Sequence, residues 1–195
     1  MIAGRMGGPS QAASERLMQN VEFKAELRDH NLAKSIALSI GGKFIEHLWQ
    51  TDTYFQLADG RLKKRQTEGR PTEFIFYHRD NHTRPRISRF HIYSEAEAAD
   101  RFGRIPVPEW VVVRKAREVY MWRGVRIHLD MVDRLGMFVE FEALVSPISN
   151  LVKCHAAIEE LRQNFAAVLG EAVSASYSDM MVTEPELPPT GDPVG

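Results

Sequence analysis

The stretch "VVVRKAREVYMWRGVRIHLDMVDRL", Val111 to Leu135, collects charge on one side of a strand pair. A two-residue turn at Arg123-Gly124 pairs Trp122 with Val125, and side chains alternate outward from there. That register puts Lys115, Arg117, Arg126, His128 and Asp130 on one face, with Arg117 opposite Asp130. A slip of one residue would part them. The same habit recurs along the chain: Glu22 and Lys24 in "NVEFKAEL", Arg61, Lys63 and Arg65 in "GRLKKRQ", Arg79 closing "TEFIFYHRD", and Glu140 with Glu142 in "FVEFEA". Guanidinium and ammonium groups suit phosphate oxygens, the first as a planar fork and the second as a point charge. Carboxylates suit a hard divalent cation such as Mg²⁺ or Mn²⁺. A polyphosphate carrying its metal needs both kinds of group in one cavity.

The elements that must position these residues are mostly strands. "NVEFKAEL" and "GMFVEFEALV" alternate cleanly, and "KFIEHLWQTDTYFQL", "GRLKKRQ", "TEFIFYHRD" and "RISRFHIYS" read as further antiparallel strands. Three helices are predicted: "DHNLAKSIALSIGG", capped by Asp29 and stopped at Gly41; "SEAEAADRF", capped by Ser94; and a long one from Ser146-Pro147 to about Leu169. The pattern predicts an α+β domain with a large antiparallel sheet, one face charged and the other apolar. Two solutions satisfy it: an open sheet with a solvated charged face, or a closed or nearly closed eight-stranded barrel, charged inside and helix-covered outside. Tyr54, Phe55, Trp49 and Trp110 are expected between sheet and helices. Arg86 and Arg89 are expected at the solvated surface, and His47, His78 and His91 have no ligand spacing.

The 195 residues suit one domain, and a net charge of −1 leaves nothing for bulk attraction to nucleic acid or an anionic membrane, so a charge-based function must come from local clustering. Cys154, a single cysteine, suits a reducing cytoplasm. No apolar run approaches the roughly 18 residues of a membrane span. Residues 1–18 read as a flexible leader, 19–182 as the folded domain, and the Pro-rich 183–195 as a disordered tail.

Taken in order, the motifs resemble those of the CYTH family, the triphosphate tunnel metalloenzymes. The family's E-x-E-x-K is matched in "NVEFK" by Glu22 and Lys24, with Asn20 where the first Glu is expected; "QTDTYFQLADGRLKKR", "FIFYHRD", "VRKAREVY", "VRIHLDMVDRLGMFVEFE" and "SYSDMM" are similar to successive family blocks. The resemblance spans about Asn20 to Met181. It implies an eight-stranded antiparallel tunnel, Mg²⁺ or Mn²⁺ held by Glu22, Asp130, Glu140 and Glu142, and phosphate bound by Lys24, Arg61, Lys63, Arg65, Arg79, Lys115, Arg117 and Arg126. Lys24, Lys115 and Arg117 are the expected catalytic residues. His128 is expected to bridge a carboxylate and a water.

The substrate so implied is a triphosphate: ATP, tripolyphosphate or thiamine triphosphate. A class IV adenylyl cyclase-like reaction, ATP to cyclic AMP and pyrophosphate, is the first expectation. Triphosphate hydrolysis and a non-catalytic polyphosphate- or nucleotide-binding module are the alternatives. Asn20 leans towards the cyclase, because an amide carries no charge and cannot act as a base on water. No nucleic acid or membrane partner is expected, and the oligomeric state, a dimer being one candidate, is left open.

Overall fold

A computed structural model of the chain describes residues 17–103 and 108–183. Within them run β1 (Met18–Leu27), α1 (His30–Ser39), β2 (Lys43–Phe55), β3 (Arg61–Thr67), β4 (Glu73–Arg79), β5 (Arg86–Tyr93) and α2 (Glu95–Phe102), then β6 (Glu109–Trp122), β7 (Val125–Val132), β8 (Gly136–Leu144), α3 (Leu151–Asn164), β9 (Leu169–Ala172) and α4 (Tyr177–Thr183). Strand β1 pairs with β8 on one edge and with β5 on the other, so the order β5-β4-β3-β2-β6-β7-β8-β1 closes on itself. The result is an eight-stranded antiparallel barrel with helices outside; closure rules out the open, solvated sheet. The expected leader and tail fall largely outside the described residues.

The hairpin at Arg123-Gly124 forms in the expected register, with Trp122 opposite Val125 and Arg117 opposite Asp130. Both turn residues have positive φ, 45° and 82°. That is the turn whose twist matches the flanking strands, and glycine takes it without strain.

Alternation then separates two environments. Outward-facing Phe23, Tyr120, Ile127, Leu129, Val139 and Phe141 join Ala33 and Ala37 of α1, Ile158 and Leu161 of α3, and Phe165 in one core. Cys154 is buried in this core too. The Trp122 indole donates to the Ile40 carbonyl at 3.0 Å, pinning α1 to the hairpin. Inward-facing positions hold the charges. None of the helices among the described residues is long and apolar enough to cross a membrane.

Three expectations need correction. Helix α3 starts at Leu151 with Asn150 as its cap, not at Ser146. The Ser146 hydroxyl instead accepts from the Ser149 amide at 3.1 Å, and the two residues bridge through their backbones, so Ser-Pro closes a turn. The helix also ends at Asn164, and Leu169–Ala172 is a strand. The reason lies in β1, whose pairing with β5 covers only Met18 to Glu22 and leaves the edge at Ala25 and Leu27 for β9 to fill. Trp49 stays 57% exposed on the outside of β2, whereas Tyr54 and Trp110 pack with Tyr177 and Met181 of α4 as expected.

Candidate active site

Strand parity brings four charged groupings into the barrel, around a cavity of about 460 Å³. The first centres on Asp52 of β2. Its carboxylate accepts two hydrogen bonds from Arg65, both 2.7 Å, another from Lys115 at 2.7 Å and a longer one from Lys63 at 3.4 Å. Burial alone would push Asp52 up, but Arg65, Lys115 and Lys63 hold it well below the usual carboxylate range. A carboxylate with no exposure would be untenable without such partners.

Glu22 organises the second grouping. Its Oε1 accepts from Arg79 at 2.7 Å and Arg86 at 2.8 Å. Arg86 is only 2% exposed and also donates to the carbonyls of His82 and Val173, which corrects the expectation of a solvated arginine; Arg89 is exposed as expected. Arg79 is different. Its Nε and Nη2 are buried without a partner. Beside them Lys24 is 2% exposed, with its ammonium 4.1 Å from the centre of the Tyr177 ring.

The third grouping is the cross-strand pair foreseen in the hairpin. Arg117 grips Asp130 with two bonds of 2.6 Å and reaches Glu140 at 2.9 Å, while the Tyr177 hydroxyl donates to Asp130 at 2.8 Å. Asp130 is fully buried. Burial favours its neutral form, yet Arg117 outweighs that and lowers its pKa. Glu140 lies well below its ordinary range, because His128, Arg117 and Lys24 outweigh the burial that would raise it.

The fourth lies farther along β7 and β8. His128, 4% exposed, sets Nδ1 at 3.7 Å from Glu140 and 3.9 Å from Glu142, and Arg126 stands 3.9 Å from Glu142. His128, Glu140 and Glu142 bring one ligand-capable atom each within 4.8 Å of one another. Asn20 also lines the cavity, 6% exposed, with Oδ1 buried and unpartnered. Two carboxylates and an imidazole fit a divalent cation.

Helix α4 lies across one end of the barrel, where Tyr177 and Met181 pack with Tyr54, Val113, Val132 and Phe138. Arg61 pairs there with Asp179 of α4 at 3.0 Å and does not line the cavity. Away from α4 the lining includes Leu48, Ile75, Phe90, Ile92 and Val119, an apolar collar interrupted by Glu46, Arg70 and Glu73.

The barrel therefore gathers Lys24, Lys63, Arg65, Arg79, Lys115, Arg117 and Arg126 from the predicted phosphate ligands and adds Arg86. Of the predicted metal ligands it brings Glu140 and Glu142 together and adds His128. Glu22 and Asp130 sit in separate ion pairs. Sequence reasoning missed Asp52, Arg86 and Tyr177. Asp52 had a usable signal, since it shares its parity on β2 with Gln50 and Tyr54, which also face the cavity. Tyr177 had only the family resemblance of "SYSDMM", because a short helix after a loop gives no parity. In all, nine guanidinium or ammonium groups along the described lining, Arg70 and Arg86 included, face seven carboxylates, Glu22, Glu46, Asp52, Glu73, Asp130, Glu140 and Glu142.

Residues 18–166 match the CYTH domain. The chain belongs to the CYTH family. A protein of Methanocaldococcus jannaschii named "Putative adenylate cyclase MJ0240" is 26% identical over 162 residues, which cover 77% of this chain and 90% of that protein. A solved structure from Pyrococcus horikoshii superposes with a TM-score of 0.66 at 21% identity, over 82% of this chain and 98% of the other. The same CYTH architecture appears in a Hippeastrum protein, named as an adenylyl cyclase candidate, that has a dominant triphosphatase activity; its TM-score is 0.59 at 14% identity, over 87% of this chain and 98% of that one.

Burial brings the Lys24 ammonium down to about 7, and burial together with neighbouring Arg65, Arg117 and Lys63 does the same for Lys115 despite Asp52. An incoming polyanion favours the charged form of both, so its binding raises their pKa and takes up protons above pH 7. Affinity for tripolyphosphate is then expected to fall as pH rises from 7, and titration calorimetry in buffers of different ionisation enthalpy should register the uptake. Binding at pH 8 without proton uptake would contradict the assignment of these lysines to the anion site.

Proposed function

We propose that this protein is a divalent-metal-dependent enzyme that takes ATP into the tunnel and converts it to cyclic AMP and pyrophosphate. The observation that carries the reading is the unbalanced interior. Among the described lining residues the cations outnumber the carboxylates by two, and Arg79 has a single bond to Glu22 while its Nε and Nη2, like Nη2 of Arg86, are buried without a partner. Buried donors of this kind call for an anion with several oxygens. A phosphate chain next to the carboxylate–imidazole cluster would satisfy both.

In this reading Arg79, Lys24, Arg86, Lys63, Arg65 and Lys115 hold the chain, and Arg117 braces Glu140 and Asp130. Glu140 and Glu142 would hold the metal, with Glu22 opposite Glu142 in the strand register. Asp130, tied to Arg117 and Tyr177, would keep that arginine in place. When bound, the metal supplies Lewis-acid polarisation of phosphoryl oxygens. The protein's own part is to fix the chain and neutralise charge developing on the leaving pyrophosphate, with little covalent work of its own. Lys24, Lys115 and Arg117 are the groups proposed for that task.

Two features favour a nucleotide over inorganic tripolyphosphate and cyclisation over hydrolysis. The apolar collar offers a surface to an organic group that inorganic phosphate lacks. Asn20 supplies no charge with which to activate a water. Hydrolysis is the second reading, supported by the triphosphatase activity of the Hippeastrum protein. Incubation with Mn²⁺ or Mg²⁺ and either ATP or tripolyphosphate, followed by phosphorus NMR and chromatography, separates them. Cyclic AMP with pyrophosphate upholds the cyclase, orthophosphate alone replaces it with the hydrolase, and turnover of neither refutes both in favour of a binding module.

The collar carries its own prediction. Phe90→Ala should raise the KM for ATP about tenfold while leaving tripolyphosphate affinity unchanged, because one lost aromatic contact is worth roughly 1–3 kcal/mol. Equal losses for both ligands would show that Phe90 serves the barrel rather than the base.

A further inference from the structure

We propose that His128 is itself a metal ligand through Nδ1, completing a site of two carboxylates and one imidazole that favours Mn²⁺ over Mg²⁺. The inference rests on the metal-dependent reading above and extends it to the kind of ion selected.

Three observations converge on Nδ1. The side chain is 4% exposed, and Nδ1 is buried with no hydrogen-bond partner. An imidazole nitrogen left so in a barrel interior calls for an occupant. Its nearest neighbours are Glu140 Oε2 at 3.7 Å and Glu142 Oε1 at 3.9 Å, too far for hydrogen bonds yet close to the spacing of two atoms on one ion. Ligand bonds of about 2.1 Å place neighbouring donor atoms roughly 3 to 4 Å apart. The 4.8 Å spread of the three atoms thus needs only a modest contraction.

Charge argues the same way. If His128 were present only as an imidazolium counter-ion, it would duplicate cations already in place. Arg117 bonds Glu140 at 2.9 Å, and Arg126 stands 3.9 Å from Glu142. A neutral imidazole adds what these carboxylates lack, a lone pair.

The ligand set supplies the reason for selectivity. The cluster offers two carboxylates and one imidazole, so one of its three donors is nitrogen rather than oxygen. Mg²⁺ favours oxygen ligands in near-ideal octahedral geometry and keeps its waters. Imidazole nitrogen binds first-row transition ions better than Mg²⁺, and Mn²⁺, at the weak end of that series, shares the preference to a smaller degree. The exchange costs Mg²⁺ more than Mn²⁺.

The full chain loaded with Mn²⁺ is examined by electron spin-echo envelope modulation, with and without ¹⁵N-histidine. A directly bound ¹⁴N coupling that changes on ¹⁵N labelling and vanishes in His128→Ala is the expected result. Calorimetry should show the Mn²⁺ Kd weakened at least tenfold in His128→Ala, with the Mg²⁺ Kd moved less. His128→Asn, checked by its melting curve, is the second variant should alanine perturb folding; the labelled wild-type spectrum decides even if neither folds. Mn²⁺ bound without nitrogen coupling overturns the histidine assignment alone. Failure of the wild type to bind Mn²⁺ at all overturns the metal-dependent reading, and this inference with it.

Discussion

Replacing Asp52 with asparagine is expected to destabilise the protein by about 3–5 kcal/mol, the usual cost of stripping the counter-charge from a buried ion pair. Asp52 is fully buried and is the shared acceptor of Arg65, Lys115 and Lys63, so the change leaves three cations crowded against one another. In a chain of this size that loss lowers Tm by roughly 6–20 °C. The pH dependence has a definite sign. Lys115 already titrates near 7 with Asp52 beside it, and loses its proton more easily without it. The folded variant thus holds fewer protons than the folded wild type between its own lowered Lys115 pKa and about 7, so its stability loss is greatest on the acid side of that window and shrinks as pH rises through it. Tripolyphosphate should restore much of the lost Tm by mass action, since its oxygens replace the missing carboxylate. A variant that melts within about 1 °C of the wild type across this range would mean that the three cations are neutralised by something other than Asp52.

The second large effect is chemical. Glu142→Ala is expected to lower metal-dependent turnover of ATP by about 10²–10³-fold with little change in Tm. Charge stabilisation by a bound metal is worth several kcal/mol, and each 1.4 kcal/mol is tenfold in rate. Glu142 is suited to separate binding from turnover, because its cation neighbour Arg126 is half-exposed and 3.9 Å away, and so leaves no buried charge bare when the carboxylate goes. Tripolyphosphate binding measured without metal should survive in the variant. Retained turnover would remove Glu142 from the metal site, whereas loss of metal-free anion binding would give it a structural role in the tunnel.

Both predictions depend on groups that were unequally legible in the chain. Alternation alone placed Lys115, Arg117, Arg126, His128 and Asp130 on one face, because a two-residue turn with Gly124 allows one low-strain register and β side chains repeat every two residues. The charges of β1, β3, β4 and β8 followed by the same rule, and with them the charged interior of a barrel. Local capping chemistry marked α1 and α2 for the same reason: Asp29 and Ser94 satisfy amides within a few residues of themselves.

Who pairs with whom was not legible, because partners inside a closed barrel come from strands far apart in sequence. Asp52 and Lys115, 63 positions apart, meet because β2 pairs with β6, whereas Glu22 and Arg86, 64 apart, meet only through closure by β1 and β5. The same closure took Arg86 from the expected surface to the interior. It also left the open edge of β1 that turned Leu169–Ala172 from helix to strand. Residue types and parity, then, determined that phosphate-binding and metal-binding groups share one face. The tertiary structure decided which of them neutralise each other and which are left with donors to spare, since that balance is struck by distances across the barrel and by exclusion of water from it.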